Sequence, residues 1–169
     1  MSTVDLNAPD AVPANQLPFL SLSNKWLVPV DGSAGSLLAL SHAMYLLNQD
    51  SDELHILVVH SPHFMGEDQD KTRAHLARAA GLVNDQIKPG SNFKVEQHFI
   101  TAKDAREAIC NMAEDLNIDY IVMGSRGLGV LKSLVLGSVS SYVAAHAPCP
   151  VIITRDRKNK GDQSESLWK

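Results

Sequence analysis

Tyr120-Ile-Val-Met-Gly-Ser-Arg-Gly-Leu-Gly-Val-Leu-Lys-Ser-Leu-Val-Leu-Gly-Ser138 holds a strand, a glycine-bearing loop and the start of a helix in nineteen residues. Tyr120 to Met123 is a short, nearly continuous aliphatic run, the composition of a strand covered on both faces. Gly124 to Gly137 carries four glycines, and Ser138 opens a helix that runs to His146. Glycine lets a backbone come close to phosphate oxygens, while amides at a helix N-terminus donate to them and the helix dipole favours negative charge. The stretch is therefore a candidate anion cradle. Ser138 and Ser140 would add hydroxyl donors, and Arg126 and Lys132 positive charge. The residues alone leave a second reading open, in which the glycines only shape a loop and cap a helix.

Outward from this stretch the same vocabulary repeats. Trp26 to Val30, Leu54 to Val59 and Val151 to Ile153 are further buried-strand runs. Phe93, Val95 and Phe99 alternate with polar residues as in a half-exposed edge strand. Helical spacing fills the gaps: Leu37, Leu40, Met44 and Leu47; then Leu76, Ala80, Val83 and Ile87; then Ala105, Ala108, Ile109, Met112 and Leu116. Thr101 with Asp104 reads as a weak capping box opening the third helix. Strict alternation of strand and helix implies an α/β domain, doubly wound, with a five-stranded parallel sheet and helices on both faces. Pro29 disagrees with a central first strand, since proline removes a ladder donor. It stands beside Asp31 and Gly32 at the carboxyl end, where such sheets place their ligands, so the strand is read as leaving the ladder there.

The chain has 169 residues, enough for one well-buried domain and too few for two of ordinary size. With 44% hydrophobic, 20% charged and 5% aromatic residues, its core is aliphatic and the bulk of the chain is not disordered. A net charge of −4 and the lack of a long basic run remove the footprint of a nucleic-acid or anionic-membrane binder. No apolar stretch approaches the roughly 20 residues that span a bilayer, and Met1 to Ser21 lacks the pattern of a signal peptide. The expectation is a cytoplasmic protein with flexible tails at 1–21 and 158–169 around a domain at 22–157. Cys110 and Cys149 read as reduced packing residues.

The pattern Gly124-x2-Gly127-x9-Gly137-Ser138 resembles, without a gap, the ATP-binding signature of the universal stress protein family. Leu27-Val-Pro-Val-Asp-Gly-Ser33, Ile121-Val-Met-Gly-Ser125, Gly137-Ser-Val-Ser-Ser-Tyr-Val143 and His146-Ala-Pro-Cys-Pro-Val-Ile-Ile153 are similar to other blocks of that family. The likeness covers about Asn24 to Arg155. It implies a Rossmann-like sheet of the adenine nucleotide alpha hydrolase type, in the order 3-2-1-4-5, and a nucleotide site of Pro29, Val30, Asp31, Val59, Met123, Gly124, Arg126, Gly127, Gly129, Gly137, Ser138, Val139 and Ser140. Pro29, Asp31, Val59 and Met123 would surround adenine and ribose. Gly127 and Gly137 to Ser140 would line the phosphates, with Mg²⁺ or Mn²⁺ beside them. It also implies a homodimer paired through Val151, Ile152, Ile153 and Thr154. Two positions depart from the commonest pattern: Arg126 stands where histidine is frequent, and Lys103 where a glycine often precedes the third helix.

The function so implied is an ATP-binding stress-response regulator that acts through nucleotide-dependent conformation or an unknown protein partner. No Walker pattern is present and nothing in the loop is an evident base for water, so fast hydrolysis is not expected. The alternatives are a slow ATPase, an autophosphorylating or adenylyl-transferring enzyme, and an interaction module that needs no nucleotide. His60-Ser-Pro-His63 has a spacing that two imidazoles can use for a metal, against the blander reading of unrelated histidines. Glu67-Asp68-Gln-Asp70 reads as a solvated helix start near the positive end of the dipole.

Overall fold

The computed structural model describes residues 23–62, 68–125 and 136–155. The chain runs β1 (Lys25–Pro29), α1 (Ala34–Leu46), β2 (Glu53–His60), α2 (Gln69–Asn84), β3 (Lys94–Thr101), α3 (Ala105–Asp115), β4 (Tyr120–Gly124), α4 (Ser138–His146) and β5 (Val151–Thr154). All strands are parallel, in the order β3-β2-β1-β4-β5. This is the doubly wound α/β fold that the alternation implied, with the strand of Phe93 to Phe99 at an edge. The expected tails lie outside the described residues. Among those described, no helix is long and apolar enough to cross a membrane.

Strand parity divides the core in two. Trp26, Val28 and Val30 of β1 and its extension share one face with Leu54, Ile56, Val58 and Val122, beneath α1 and α2. Leu27, Leu57, Ile121 and Met123 share the other with Ile109 and Ala113 of α3 and Val143 of α4. Leu27, Leu54, Ile56, Leu57 and Ile121 have no exposed surface, and burying each stabilises the fold by roughly 1.5–3 kcal/mol. Cys110 and Cys149 are free thiols packed against the second core, and burial pushes the Cys149 thiol up to about 11.

Asp52 ties the amino ends of these elements together. Its carboxylate accepts from Trp26 Nε1 at 2.9 Å, from the Asn48 amide at 2.9 Å and from the Asn24 amide at 3.0 Å. Burial alone would raise its pKa, but the donors outweigh that and hold it below the ordinary 3.8.

The helices begin on side chains that accept from their first-turn amides: Ser33 for α1, Asp68 for α2 and Asp104 for α3. Asp68 thus gives the acidic run the helix-start role read from sequence; Glu67 lies outside the described residues. At α3 the expectation is corrected. Thr101 is the last residue of β3, and Asp104 is itself the cap, accepting from the Arg106 amide at 2.8 Å. The forked hydrogen bonds from the Arg106 guanidinium hold the Asp104 carboxyl at about 2. Asn117 ends the helix in the left-handed region (φ 52°), allowing the Ile118 amide to reach the Ala113 carbonyl at 2.9 Å.

Candidate functional site

From β1 the chain winds outward through α1 and α2 to β2 and β3, then crosses back through α3 to β4 on the other side. The carboxyl ends of β1 and β4 therefore diverge, which is where doubly wound sheets open a crevice. The hydrogen bonds show how the opening is made. The Asp119 amide donates to Lys25 O, and the Val30 amide to Leu57 O. Main-chain groups alternate sides along a strand, so Lys25, Leu27 and Pro29 face β4 while Val28 and Val30 face β2. Pairing of β1 with β4 stops at Leu27 opposite Ile121. The nitrogen of Pro29, with no hydrogen to donate, faces the gap.

Around the crevice the chain turns on close contacts. Asp31 Oδ1 accepts from the Ser33 amide at 3.0 Å and the Ser33 hydroxyl at 2.6 Å, and Ser33 Oγ accepts from the Ser36 amide at 3.2 Å. This locks the turn that launches α1. Gly32 within it has φ +81°, and a β-carbon there would run into the His75 ring of α2. At Gly124 a β-carbon would stand 2.7 Å from the carbonyl carbon and oxygen of Gly35, so the first turn of α1 passes directly over the end of β4.

Ser125 joins three pieces of chain. Its amide donates to Thr154 O at 2.9 Å, and its carbonyl accepts from the Gly137 amide at 2.8 Å. Gly137 then begins α4 with no side-chain cap, unlike the starts of α1, α2 and α3. The first intrahelical bond is Ser141 N to Gly137 O at 2.8 Å. The amides of Ser138, Val139 and Ser140 precede it, so no carbonyl of their own helix is available to them.

Of the residues read from sequence, Pro29, Asp31 and Gly124 lie at this crevice, and Gly137 to Ser140 form the start of α4. Val59, near the end of β2, and Met123 have the same parity as Leu27 and Pro29, on the α3/α4 face. Two placements were not foreseen. Val30 is buried in the core under α1 and α2, and its amide is spent on Leu57. The hydroxyl of Ser140 donates to Gly124 O at 2.8 Å in a buried contact, so it serves the fold. Arg126, Gly127, Gly129 and Lys132 lie outside the described residues, as does His63. His60 is buried beneath α2, 3.4 Å from Thr72 Oγ1. Ser33, Ser36 and Gly35 were not singled out as site residues. Ser33 had a local signal, a serine directly before an apolar helical run, whereas the approach of Gly35 to Gly124 had none. Among the described residues no three His, Cys, Asp or Glu side chains gather as a metal cage.

A family model described as the universal stress protein family matches residues 23–155. The chain belongs to that family. The universal stress protein YxiE of Bacillus subtilis is 33% identical over 149 residues, covering 78% of this chain and 99% of its own. A universal stress protein family structure from Arabidopsis thaliana with AMP bound is 19% identical and aligns with a TM-score of 0.59, over 85% of this chain and 99% of that one. The universal stress protein from Archaeoglobus fulgidus in complex with dAMP is also 19% identical, with a TM-score of 0.60, over 79% of this chain and 99% of that one. At such identities the two structures establish the universal stress protein fold.

Proposed function

We propose that this universal stress protein binds ATP in the crevice between β1 and β4 and acts as a stress-response regulator, through nucleotide-dependent conformation or contact with a partner. The observation that carries the reading is the bare start of α4. Three helices cap their first amides with a side chain of their own, whereas α4 begins at Gly137 with three amides free of intrahelical partners, at the end of a glycine signature. Phosphate oxygens are the ligands such an end accepts. The AMP and dAMP held by the two structural relatives support an adenine nucleotide.

In this reading Pro29, Val59 and Met123 offer an apolar wall to adenine, and Asp31 Oδ2 faces ribose. The amides of Ser138, Val139 and Ser140 take phosphate oxygens, with Gly127 and Gly129 letting the loop approach them. Val30 contributes through its carbonyl, because its side chain and amide are committed to the core. Mg²⁺ or Mn²⁺ would be held chiefly by the phosphates and water, the usual manner for Mg²⁺ with nucleotides. The reading also includes a cytoplasmic homodimer through β5. Pro150 O and Thr154 O accept from β4, so by alternation the main-chain groups of Val151 and Ile153 face outward along an open edge.

The test is to denature the purified protein, identify what is released by mass spectrometry, and titrate the emptied protein with ATP and Mg²⁺ in a calorimeter. An adenine nucleotide released in near-stoichiometric amount, or saturable binding of ATP, is expected. Failure to recover one, together with no binding of ATP, ADP or AMP at millimolar concentration, overturns the proposal.

A further inference from the structure

Away from the crevice, two histidines meet across the β2–β3 pair. Glu96 lies opposite His55 and His98 opposite Leu57, which puts His55 and His98 diagonally on one face of neighbouring strands. His55 Nδ1 and His98 Nε2 are 3.0 Å apart. The ring planes are within 13° of parallel and the centroids 5.2 Å apart, longer than the nitrogen separation by about the two ring radii. The imidazoles therefore lie almost in one plane and point at each other head-on. A metal needs two nitrogens that converge on a third point, so this geometry is that of an N–H···N hydrogen bond. Such a bond holds one proton between the two facing nitrogens.

The surroundings fix which nitrogen carries it. His55 is 3% exposed, and its other nitrogen, Nε2, lies 3.0 Å from Glu53 Oε1 but out of line for a hydrogen bond. The negative carboxylate so close to Nε2 disfavours a lone pair there and favours N–H, even off the hydrogen-bond axis. Neutral His55 thus carries its hydrogen on Nε2 and accepts through Nδ1 from His98 Nε2–H. The charged groups acting on His55 are Glu53 on its own strand, His98 and Glu96 on β3, and Lys25 on β1. Lys94 Nζ of β3 donates to the same Glu53 Oε1 at 2.7 Å, and Lys25 Nζ is turned to Leu116 O where α3 ends on this face, at 3.1 Å.

We infer that His55 and His98 form an acid-sensitive latch on the edge strand: one proton holds β3 to β2 between the side chains, and a second breaks the link. His98 can take a proton and still donate. Once His55 Nδ1 is also protonated, two N–H groups and two positive charges face each other, with the buried His55 shielded from the water that would solvate its charge. Burial, chiefly, opposes that protonation in the folded state and sets the His55 pKa below the ordinary 6.5. A base with a lowered folded pKa contributes stability that is complete above its unfolded pKa and is lost as pH falls through that value towards the folded one. The loss therefore begins near 6.5 and proceeds downward. Glu53 stays ionised throughout, since its own pKa is lowered, burial being outweighed by Lys94 and His55. The strand released is β3, which among the described residues has a neighbour on one side alone.

The test compares the full chain with His98→Gln, whose side-chain amide can still donate to His55 Nδ1 but cannot titrate. Hydrogen exchange of the β3 amides, corrected for the intrinsic effect of pH, should accelerate about tenfold between pH 7 and pH 5 for each pH unit by which protonation is resisted. In His98→Gln that acceleration should be clearly smaller. Equal pH dependence in the two proteins overturns the latch. Nitrogen-15 spectra of the wild-type imidazoles give a reading that needs no variant. Protonation of His55 Nδ1 displaced below the ordinary 6.5 is expected, with Nδ1 unprotonated and hydrogen-bonded at pH 7, and protonation of His55 at 6.5 or above overturns the proposal.

Discussion

The Gly137 amide donates to the Ser125 carbonyl at 2.8 Å, so the chain that leaves the sheet after β4 returns to its point of departure before α4 begins. The excursion between them is clamped at its neck, and the helix that follows starts at a fixed place relative to the end of β4. Substitutions on either side of this clamp should separate ligand binding from stability.

Gly127→Val and Gly137→Val place β-branched side chains where backbone and phosphate are to meet. Losing two or three amide-to-phosphate bonds, at roughly 1.5–3 kcal/mol each, should weaken ATP binding a hundredfold or more. Ser138→Ala removes one hydroxyl and leaves the amides, so it should cost less. Calorimetric titration of the three variants, with circular dichroism to verify folding, checks the ranking. Wild-type affinity in both valine variants would remove the nucleotide from this loop.

Ser140→Ala should behave differently from Ser138→Ala. Its hydroxyl satisfies the buried Gly124 carbonyl, and leaving that group unpaired should destabilise the fold by about 1–3 kcal/mol in a urea titration. ATP affinity of the folded variant should change little. A large loss of affinity with unchanged stability would mean that the hydroxyl reaches the ligand instead.

Asp52→Ala strips partners from Trp26 Nε1 and from the amides of Asn48 and Asn24, and should cost about 1–3 kcal/mol for the buried indole N–H left unpaired, with a smaller share from the two part-buried amides. Because the folded pKa of Asp52 is lowered, its contribution is complete above the ordinary 3.8 and is lost as pH falls through the folded value. Asp52→Asn should therefore flatten the loss of stability below pH 4, as read from denaturant midpoints against pH. An unchanged acid limb would contradict this.

Val151→Lys places a charge on the open edge of β5 and should shift the protein from dimer towards monomer in light scattering. A wild type that is monomeric at tens of micromolar would refute pairing through this strand.

ATP incubated with the protein and Mg²⁺ should come back largely intact over minutes. Turnover at about 1 per second or faster, as in metabolic enzymes, would favour the enzyme reading.

What the sequence disclosed and what it concealed divide along a physical line. Runs such as Leu54 to Val59 and the spacing of Ala105, Ile109 and Met112 announce strand and helix because local periodicity decides which face is buried, and strict alternation leaves few topologies. The glycines and the family signature raised the expectation of a phosphate-binding loop, whose residues 126–135 lie outside the described ones. Thr101 and Asp104 were mis-shared because a polar pair three residues apart reads as a capping box whether or not the first is still in a strand. The inward turn of Ser140, the burial of Val30 and the meeting of His55 with His98 depend on neighbours 16 residues or more away in the chain, and no local pattern encodes them.

Pro29 gives the crevice an origin unlike that of any loop around it. An opening kept by loop entropy or by repelling charges narrows on cooling or in salt. The one between β1 and β4 opens where the chain crosses back, and at Pro29 it also lacks a hydrogen that could bridge it. That missing hydrogen is a covalent property of the chain, unaltered by temperature, acidity or ionic strength, and a single Pro29→Ala exchange would supply a donor facing β4.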